Sequence, residues 1–292
     1  MKQDLTGLVA VVSGSSRGIG RGMAVAMGAH GATVYVTGRT AKPGQSEFPG
    51  SVAEAAEAVT AAGGKGIGVA CDFGDDEQIK QLFARIEQEQ GRLDILVNNA
   101  AYLNNDIYAH GPFWSKSLDI VRLLDVGLRS SYIASWYAAP LMVRQKRGLI
   151  VNTSTYGAVS YIHGPAYGVH KAGHDKLAAD MAVDFRDHGV AAVSYWFGAV
   201  ATERFKIVTA GMRDGYAAGD AGSFQVTETP EFGGHVLAAM YHDPELMTRS
   251  GNAFIVAEMA KEYGIKDADG VEPPSYREYL GAPRIPHPSV IT

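Results

Sequence analysis

The chain has 292 residues, 46% of them hydrophobic, and its 26 basic and 31 acidic side chains leave a formal net charge of -5. That length and apolar content suffice for one large packed core or two small ones, and the mild acidity, with a pI near 6.0, argues against a nucleic-acid or anionic-membrane surface. Cys71 is the single cysteine, which excludes an intrachain disulfide and speaks against a cysteine-based zinc site.

Met1-Lys2-Gln3-Asp4 leads almost directly into the first apolar run, which is too short a lead for a signal peptide. No run reaches membrane-spanning length. The expectation is a cytoplasmic protein without membrane or nucleic-acid partners.

The first strand is expected at Val9–Ser13 and the first helix over 18–30, joined by Ser13-Gly14-Ser15-Ser16-Arg17-Gly18-Ile19-Gly20. Glycines at such a turn let the backbone approach a pyrophosphate, and a helix start offers free N–H groups and a positive dipole end. A second strand, Thr33–Thr37, ends at Gly38-Arg39. A carboxylate there would accept from a ribose 2′-hydroxyl, whereas an arginine suits a 2′-phosphate. This chain places Arg39 at that point and Arg17 in the glycine turn, so NADP(H) is the preferred cofactor, with NAD(H) the alternative.

A helix over 51–62 precedes the strand Gly66–Ala70, after which Asp72 either meets an adenine amine or caps a turn. Asp75, Asp76, Glu77 and Lys80 read as the start and solvated face of a helix over 75–90. The strand Ile95–Val97 runs into Asn98-Asn99-Ala100-Ala101, and a long helix is expected over 115–145. The strand Leu149–Asn152 leads to Thr153-Ser154-Thr155, and a helix over 165–187 carries Tyr167-Gly168-Val169-His170-Lys171. Residues four apart share a helix face, and an ammonium beside a phenol favours the phenolate. Tyr167 and Lys171 can therefore form a proton-transfer pair.

Beyond the strand Ala191–Trp196, the Gly-, Ala- and aromatic-rich stretch 199–228 reads as a segment covering a site. A helix over 229–242 and a strand Ala253–Val256 follow, and a proline-rich tail from about 264 is expected to pack on the surface or on a neighbouring subunit. Apolar runs alternating with helical periods imply an α/β fold: a doubly wound, seven-stranded parallel sheet with helices on both faces. No linker or repeat divides it. One Rossmann-type domain, 1–292 with its core at 5–257, is the simplest organisation.

The glycine turn, Asn98-Asn99-Ala100, a serine and Tyr-x-x-x-Lys follow one another in the order of the short-chain dehydrogenase/reductase family, which the chain resembles over roughly residues 5–257. Asp125-Val126-Gly127-Leu128-Arg129 and Tyr167–Asp180 are most similar to the branch of dehydrogenase/reductase family member 1 and its bacterial relatives. The resemblance implies an oxidoreductase moving a hydride between a nicotinamide nucleotide and a secondary alcohol or ketone. It makes Tyr167 the general acid/base and Lys171 the holder of the nicotinamide ribose.

Ser154, thirteen residues before Tyr167 and three before Gly157, would hydrogen-bond the reacting oxygen. Thr153 and Thr155 are its alternatives if the register shifts by one. By the same resemblance the cofactor meets Gly14, Ser16, Arg17, Gly18, Ile19, Gly20, Arg39, Asp72, Phe73, Asn99, Ala100, Gly198, Val200 and Thr202, together with Tyr167 and Lys171. Tyr102, Tyr161, His163, Phe197 and Phe205 are candidate substrate contacts, and the covering segment favours a fairly apolar substrate. A homodimer or homotetramer through the helices at 115–145 and 165–187 is implied as well.

Two positions depart from the family pattern. Gly127 stands where the family has an asparagine that holds a water beside the lysine, and ordered water is expected to fill the space. Phe197 stands where a proline is usual. His110, His163, His170 and His174 show no metal-ligand spacing, and no metal is expected. Two rival classes share the fold: a nucleotide-binding regulator, which would not need the serine, tyrosine and lysine, and a non-redox lyase or epimerase, which would keep its nucleotide without turnover.

Overall fold

The computed structural model describes residues 3–46, 48–212 and 226–291. A seven-stranded sheet is made by β1 (Val9–Val12), β2 (Thr33–Gly38), β3 (Lys65–Ala70), β4 (Ile95–Asn98), β5 (Gly148–Thr155), β6 (Val190–Phe197) and β7 (Ala253–Ile255). Its order is β3-β2-β1-β4-β5-β6-β7, and every neighbouring pair is parallel. Every residue of β1, β4 and β6 is buried. That accounts for their unbroken apolar sequence, because helices cover both faces of the sheet. Between β1 and β4 the chain changes its direction of winding, so the loops leaving the carboxyl ends of these strands part and open a crevice.

The helices are α1 (Gly18–Ala29), α2 (Val52–Ala61), α3 (Asp76–Gln90), α4 (Ser130–Gln145), α5 (Pro165–Phe185), α6 (Glu203–Met212), α7 (Phe232–Tyr241), α8 (Leu246–Arg249), α9 (Val256–Tyr263) and α10 (Arg277–Leu280). One core contains Met23, Val34, Val97, Val193, Phe232 and Val236, which places α1 and α7 on one face of the sheet. The other contains Val11, Ile79, Leu82, Leu96, Ala138 and Met142, which places α3 and α4 on the opposite face. Local signals fix several starts. Ser51 Oγ accepts from Glu54 N–H and donates to its carboxylate, a capping box. Asp75 Oδ1 accepts from Glu77 N–H and Gln78 N–H, and Pro165 opens α5, where its missing N–H costs no helical bond.

Two expectations are corrected. The helix at 115–145 is regular only from Ser130, and the preceding stretch consists of short 3₁₀ turns and a π-helical turn over Leu124–Arg129. Ser115 Oγ donates to the Pro112 carbonyl and Ser117 Oγ accepts from Asp119 N–H, so side chains engage backbone groups that a regular helix would have used. Strands β5 and β6 each run to a later residue than the apolar pattern implied, ending at Thr155 and Phe197. The tail packs on the surface of its own subunit, one of the two expected placements: Arg277 forms two hydrogen bonds to Glu258, and Tyr276 N–H donates to Tyr156 Oη at 2.9 Å. The covering segment proposed at 199–228 includes α6, but residues 213–225 lie outside the described residues.

Candidate active site

At the carboxyl ends of β1 and β4, Ser13 ties the glycine turn to the sheet. Its hydroxyl donates to the Val97 carbonyl and accepts from Asn99 N–H and Ala100 N–H. Asn99 Nδ2 adds bonds to the Ser13 and Gly14 carbonyls at 2.9 and 3.0 Å. Gly14 has φ +63°, and a Cβ there would lie 2.7 Å from Ala100 Cα. The turn therefore needs glycine for both its conformation and its close packing.

Gly18 N–H, at the start of α1, donates to the Glu203 carboxylate at 3.0 Å. An anionic oxygen is thus already accommodated at this helix N-terminus, as a cofactor phosphate would require. Arg17 is clamped by Ser46, Thr40 and the Gly50 carbonyl. Burial holds its pKa below the ordinary value; Glu203 opposes this, while Arg204 and Arg39 add to it. Arg17 and Arg39 both line the cleft beyond the end of β2.

A cleft of about 910 Å³ opens here. Gly14, Ser16, Arg17, Gly18, Ile19, Gly20, Arg39, Asp72, Phe73, Asn99, Ala100, Gly198, Val200 and Thr202 all line it, as do Tyr167 and four of the expected substrate contacts, Tyr161, His163, Phe197 and Phe205. Tyr102 does not; its hydroxyl turns to Asp119 Oδ2 at 2.6 Å, beneath the Arg122 guanidinium. Asp72 reaches the cleft while its Oδ1 also accepts from Gly74 N–H, so the side chain forms a turn as well. Asn98 is fully buried, with Nδ2 donating to Ser135 Oγ and Asn152 Oδ1.

The hydroxyl beside the tyrosine is not the expected one. Ser154 is fully buried and its Oγ donates to the Lys171 carbonyl at 3.0 Å. Thr155 Oγ1 lies 3.2 Å from Tyr167 Oη. Both residues belong to β5, where successive side chains point to opposite faces, so only one of them can face Tyr167. The strand's continuation to Thr155 selects the second. Thr155 Oγ1 also accepts from Gly157 N–H, which leaves its own hydrogen for Tyr167 or a substrate oxygen.

Lys171 is buried behind the tyrosine, its Nζ 5.4 Å from the Tyr167 ring centroid and 2.9 Å from the Thr153 carbonyl, to which it donates. Burial lowers its pKa to about 8, with Asp175 acting in the opposite direction. Burial also pushes the Tyr167 phenol up to about 12, against a lowering by Thr155 and with a further rise from Tyr108. The expected depression of the phenol is therefore outweighed: in this state Tyr167 holds its proton and is a donor.

His170 and His174 flank Lys171, their rings 4.4 Å apart. A Cβ on Gly127 would lie 2.6 Å from His170 Nε2. The space expected to hold water is filled by that imidazole, and asparagine at 127 would have to displace it. His174 Nδ1 faces the Thr153 carbonyl at 2.9 Å. A carbonyl only accepts, so Nδ1 carries the hydrogen, and burial keeps the ring neutral with a pKa near 4. Thr153 O thus accepts from both His174 and Lys171. Nothing in the spacing of the histidines alone pointed to this, because the contact depends on how α5 packs against the π turn.

A model described as short chain dehydrogenase matches residues 8–212. The chain belongs to the short-chain dehydrogenase family. It is 38% identical over 280 residues to Dehydrogenase/reductase SDR family member 1 of Homo sapiens, covering 92% of this chain and 86% of the relative. Hydroxysteroid dehydrogenase-like protein 2 of Danio rerio is 30% identical over 274 residues; the match covers 92% of this chain but only 62% of that relative. Among solved structures, a short chain dehydrogenase of Mycobacterium thermoresistibile superposes with a TM-score of 0.76 at 25% identity, covering 92% of this chain and 91% of the other. A short-chain type dehydrogenase/reductase of Mycobacterium marinum gives 0.68 at 23%, covering 86% and 94%. The family binds nicotinamide nucleotides and acts on small molecules, so the chain is a short-chain dehydrogenase/reductase enzyme. Among the described residues no helix is long and apolar enough to cross a membrane.

One buried acid behind the cleft wall at Gly198 was missed in the sequence. Glu228 is buried; its Oε1 accepts from Gly198 N–H at 2.9 Å, and its Oε2 has no hydrogen-bond partner among the described residues. Burial raises its pKa to about 8; Gly198 N–H lowers it and Asp267 adds to the rise. An acid raised in the folded state binds its proton more tightly there than when unfolded. Its contribution to stability is therefore complete below the unfolded value and is lost as pH rises through about 8. Glu228→Gln keeps an acceptor for Gly198 and removes the titration. Thermal unfolding from pH 5 to 9 is expected to show wild-type Tm falling relative to the variant, with the largest gap at the alkaline end.

Proposed function

We propose that this chain is an NADP(H)-dependent oxidoreductase of secondary alcohols and ketones, acting as a single domain, with Tyr167 as general acid/base and Thr155 as the second hydroxyl. The observation that carries the reading is the 3.2 Å contact between Thr155 Oγ1 and Tyr167 Oη at the wall of the cleft that the glycine turn enters. A bound nicotinamide supplies or takes up the hydride. Arg17 and Arg39 hold the 2′-phosphate end, and the start of α1 receives the pyrophosphate. Tyr167 donates its proton to the carbonyl oxygen in reduction, and Thr155 hydrogen-bonds that oxygen as charge develops. Lys171 holds the nicotinamide ribose and keeps a positive charge behind the phenol. His174 positions Lys171 through their shared acceptor, the Thr153 carbonyl.

Gly198, Val200 and Thr202 form the nicotinamide side of the cleft, and Phe197, Tyr161, His163 and Phe205 favour a fairly apolar substrate. Tyr132 and Trp136 on α4 and Val169 on α5 are exposed apolar side chains, which supports a homodimer or homotetramer through these helices. The test is NADPH and NADH oxidation, followed by absorbance, across a panel of ketones, with Tyr167→Phe as control. Absence of turnover on every ketone, or equal turnover by the variant, overturns the assignment. Arg39→Ala is expected to raise KM for NADPH about tenfold or more, the size of a lost charge-assisted hydrogen bond. KM for NADH should change little, and an equal change in both would remove Arg39 from phosphate recognition.

A further inference from the structure

The apolar end of the cleft has a wall that the family motifs do not contain. Tyr276, Tyr279 and Leu280, all from the C-terminal tail, line the same cavity as Phe197, Tyr161 and Ile162. The tail is fixed on both sides of these residues. Upstream, Asp267 accepts from Thr229 N–H at 2.7 Å, and Ser275 and Arg277 both bond to Glu258. Within the wall, Tyr276 N–H donates to Tyr156 Oη and the two rings meet edge to face at 6.0 Å. Downstream, Ser160 Oγ donates to the Leu280 carbonyl, and Gly281 lies against Val159. Tyr276 and Leu280 pack on the small core of Tyr156, Ala158, Trp196 and Ile255. The wall is therefore held in place, and the Tyr279 side chain, largely exposed, projects from it.

The side chains named here are aromatic or aliphatic, and the imidazole of His163, which lines the same cavity, is kept neutral by burial and by Lys116. Aromatic walls meet a planar ring edge to face or offset with a gain beyond area burial, whereas a short aliphatic chain leaves most of such a surface uncovered.

We propose that Tyr279 and Leu280 are specificity-determining residues: the chain's own tail selects an uncharged aryl ketone, or the corresponding secondary alcohol, over short aliphatic ones. The inference rests on the oxidoreductase reading above. Its measure is the ratio of kcat/KM on α-tetralone to kcat/KM on butanone with NADPH. Tyr279→Ala and Leu280→Ala each lower that ratio about tenfold, chiefly through KM for α-tetralone, the scale of one lost ring or branched side-chain contact. Tyr279→Phe, which keeps the ring, holds the ratio. An unchanged ratio in both alanine variants overturns the proposal, as does a loss in Tyr279→Phe equal to that in Tyr279→Ala. Should the wild type reduce neither ketone, the ketone panel above decides the oxidoreductase reading, and calorimetric titration of α-tetralone into the protein with NADPH decides about the tail. Weaker binding by Tyr279→Ala and Leu280→Ala supports it, and equal binding sinks it.

Discussion

Tyr167→Phe is expected to lower kcat for ketone reduction by about a thousandfold, within the range for removal of a positioned proton donor, while NADPH still binds. The phenyl ring keeps the edge contacts to His163 and His170 and loses only the hydroxyl that faces Thr155. The measurement is single-turnover NADPH oxidation alongside NADPH binding by fluorescence. A loss confined to KM, or none, would move the proton donor elsewhere in the cleft.

The pH dependence of the wild type follows from the two buried groups. With the phenol raised to about 12, loss of its proton does not limit reduction near neutrality. Lys171, lowered to about 8, is an ammonium below that value and loses its charge as pH rises through it. Reductive kcat/KM should therefore decline above about pH 8 through Lys171, with the phenol still protonated. In the oxidative direction the order reverses, since the phenolate is then the required form.

The sheet was legible in the sequence because strands covered on both faces leave continuous apolar runs, and all seven strand cores were found from that signal. The carboxyl ends of β4 and β5 were not, since the polar residues Asn98, Thr153, Ser154 and Thr155 belong to strands whose tips enter the site. The glycine turn was legible because the backbone requirement at Gly14 and the placement after a strand are local properties, whereas the further lining residues, as far as Thr202, came from the family resemblance. What depends on packing between distant elements was hidden. The imidazole of His170 occupies the niche over Gly127 only because α5 lies against a π turn, and no residue spacing encodes that turn. Tyr276, Tyr279 and Leu280 reach the cleft through a tail with little regular structure, positioned by single side-chain bonds to Tyr156, Ser160 and Glu258.

The reading of Ser154 has the same origin, and it yields the sharpest comparison. Counting back from Tyr167 and forward to Gly157 places Ser154 at the site, but a count along the chain does not say which face of β5 a side chain occupies. A shift of one residue in a strand exchanges the two faces. Thr155→Ala removes the hydroxyl 3.2 Å from Tyr167 and should lower kcat about a hundredfold, the lower end of what one oxyanion donor contributes, while the lost bond from Gly157 N–H costs about 1 kcal/mol of stability. Thr155→Ser keeps the hydroxyl and should recover most of that loss. Ser154→Ala instead removes a buried side-chain hydrogen bond to the Lys171 carbonyl, which keeps its place in the bonding of α5, and costs about 1 kcal/mol of stability. Its kcat should fall less than that of Thr155→Ala, because the hydroxyl facing Tyr167 remains. Steady-state kinetics and thermal unfolding of the three variants separate the possibilities. A large kcat loss in Ser154→Ala with Thr155→Ala near wild type would return the role to the serine, and would mean that β5 turns over near its tip when substrate binds.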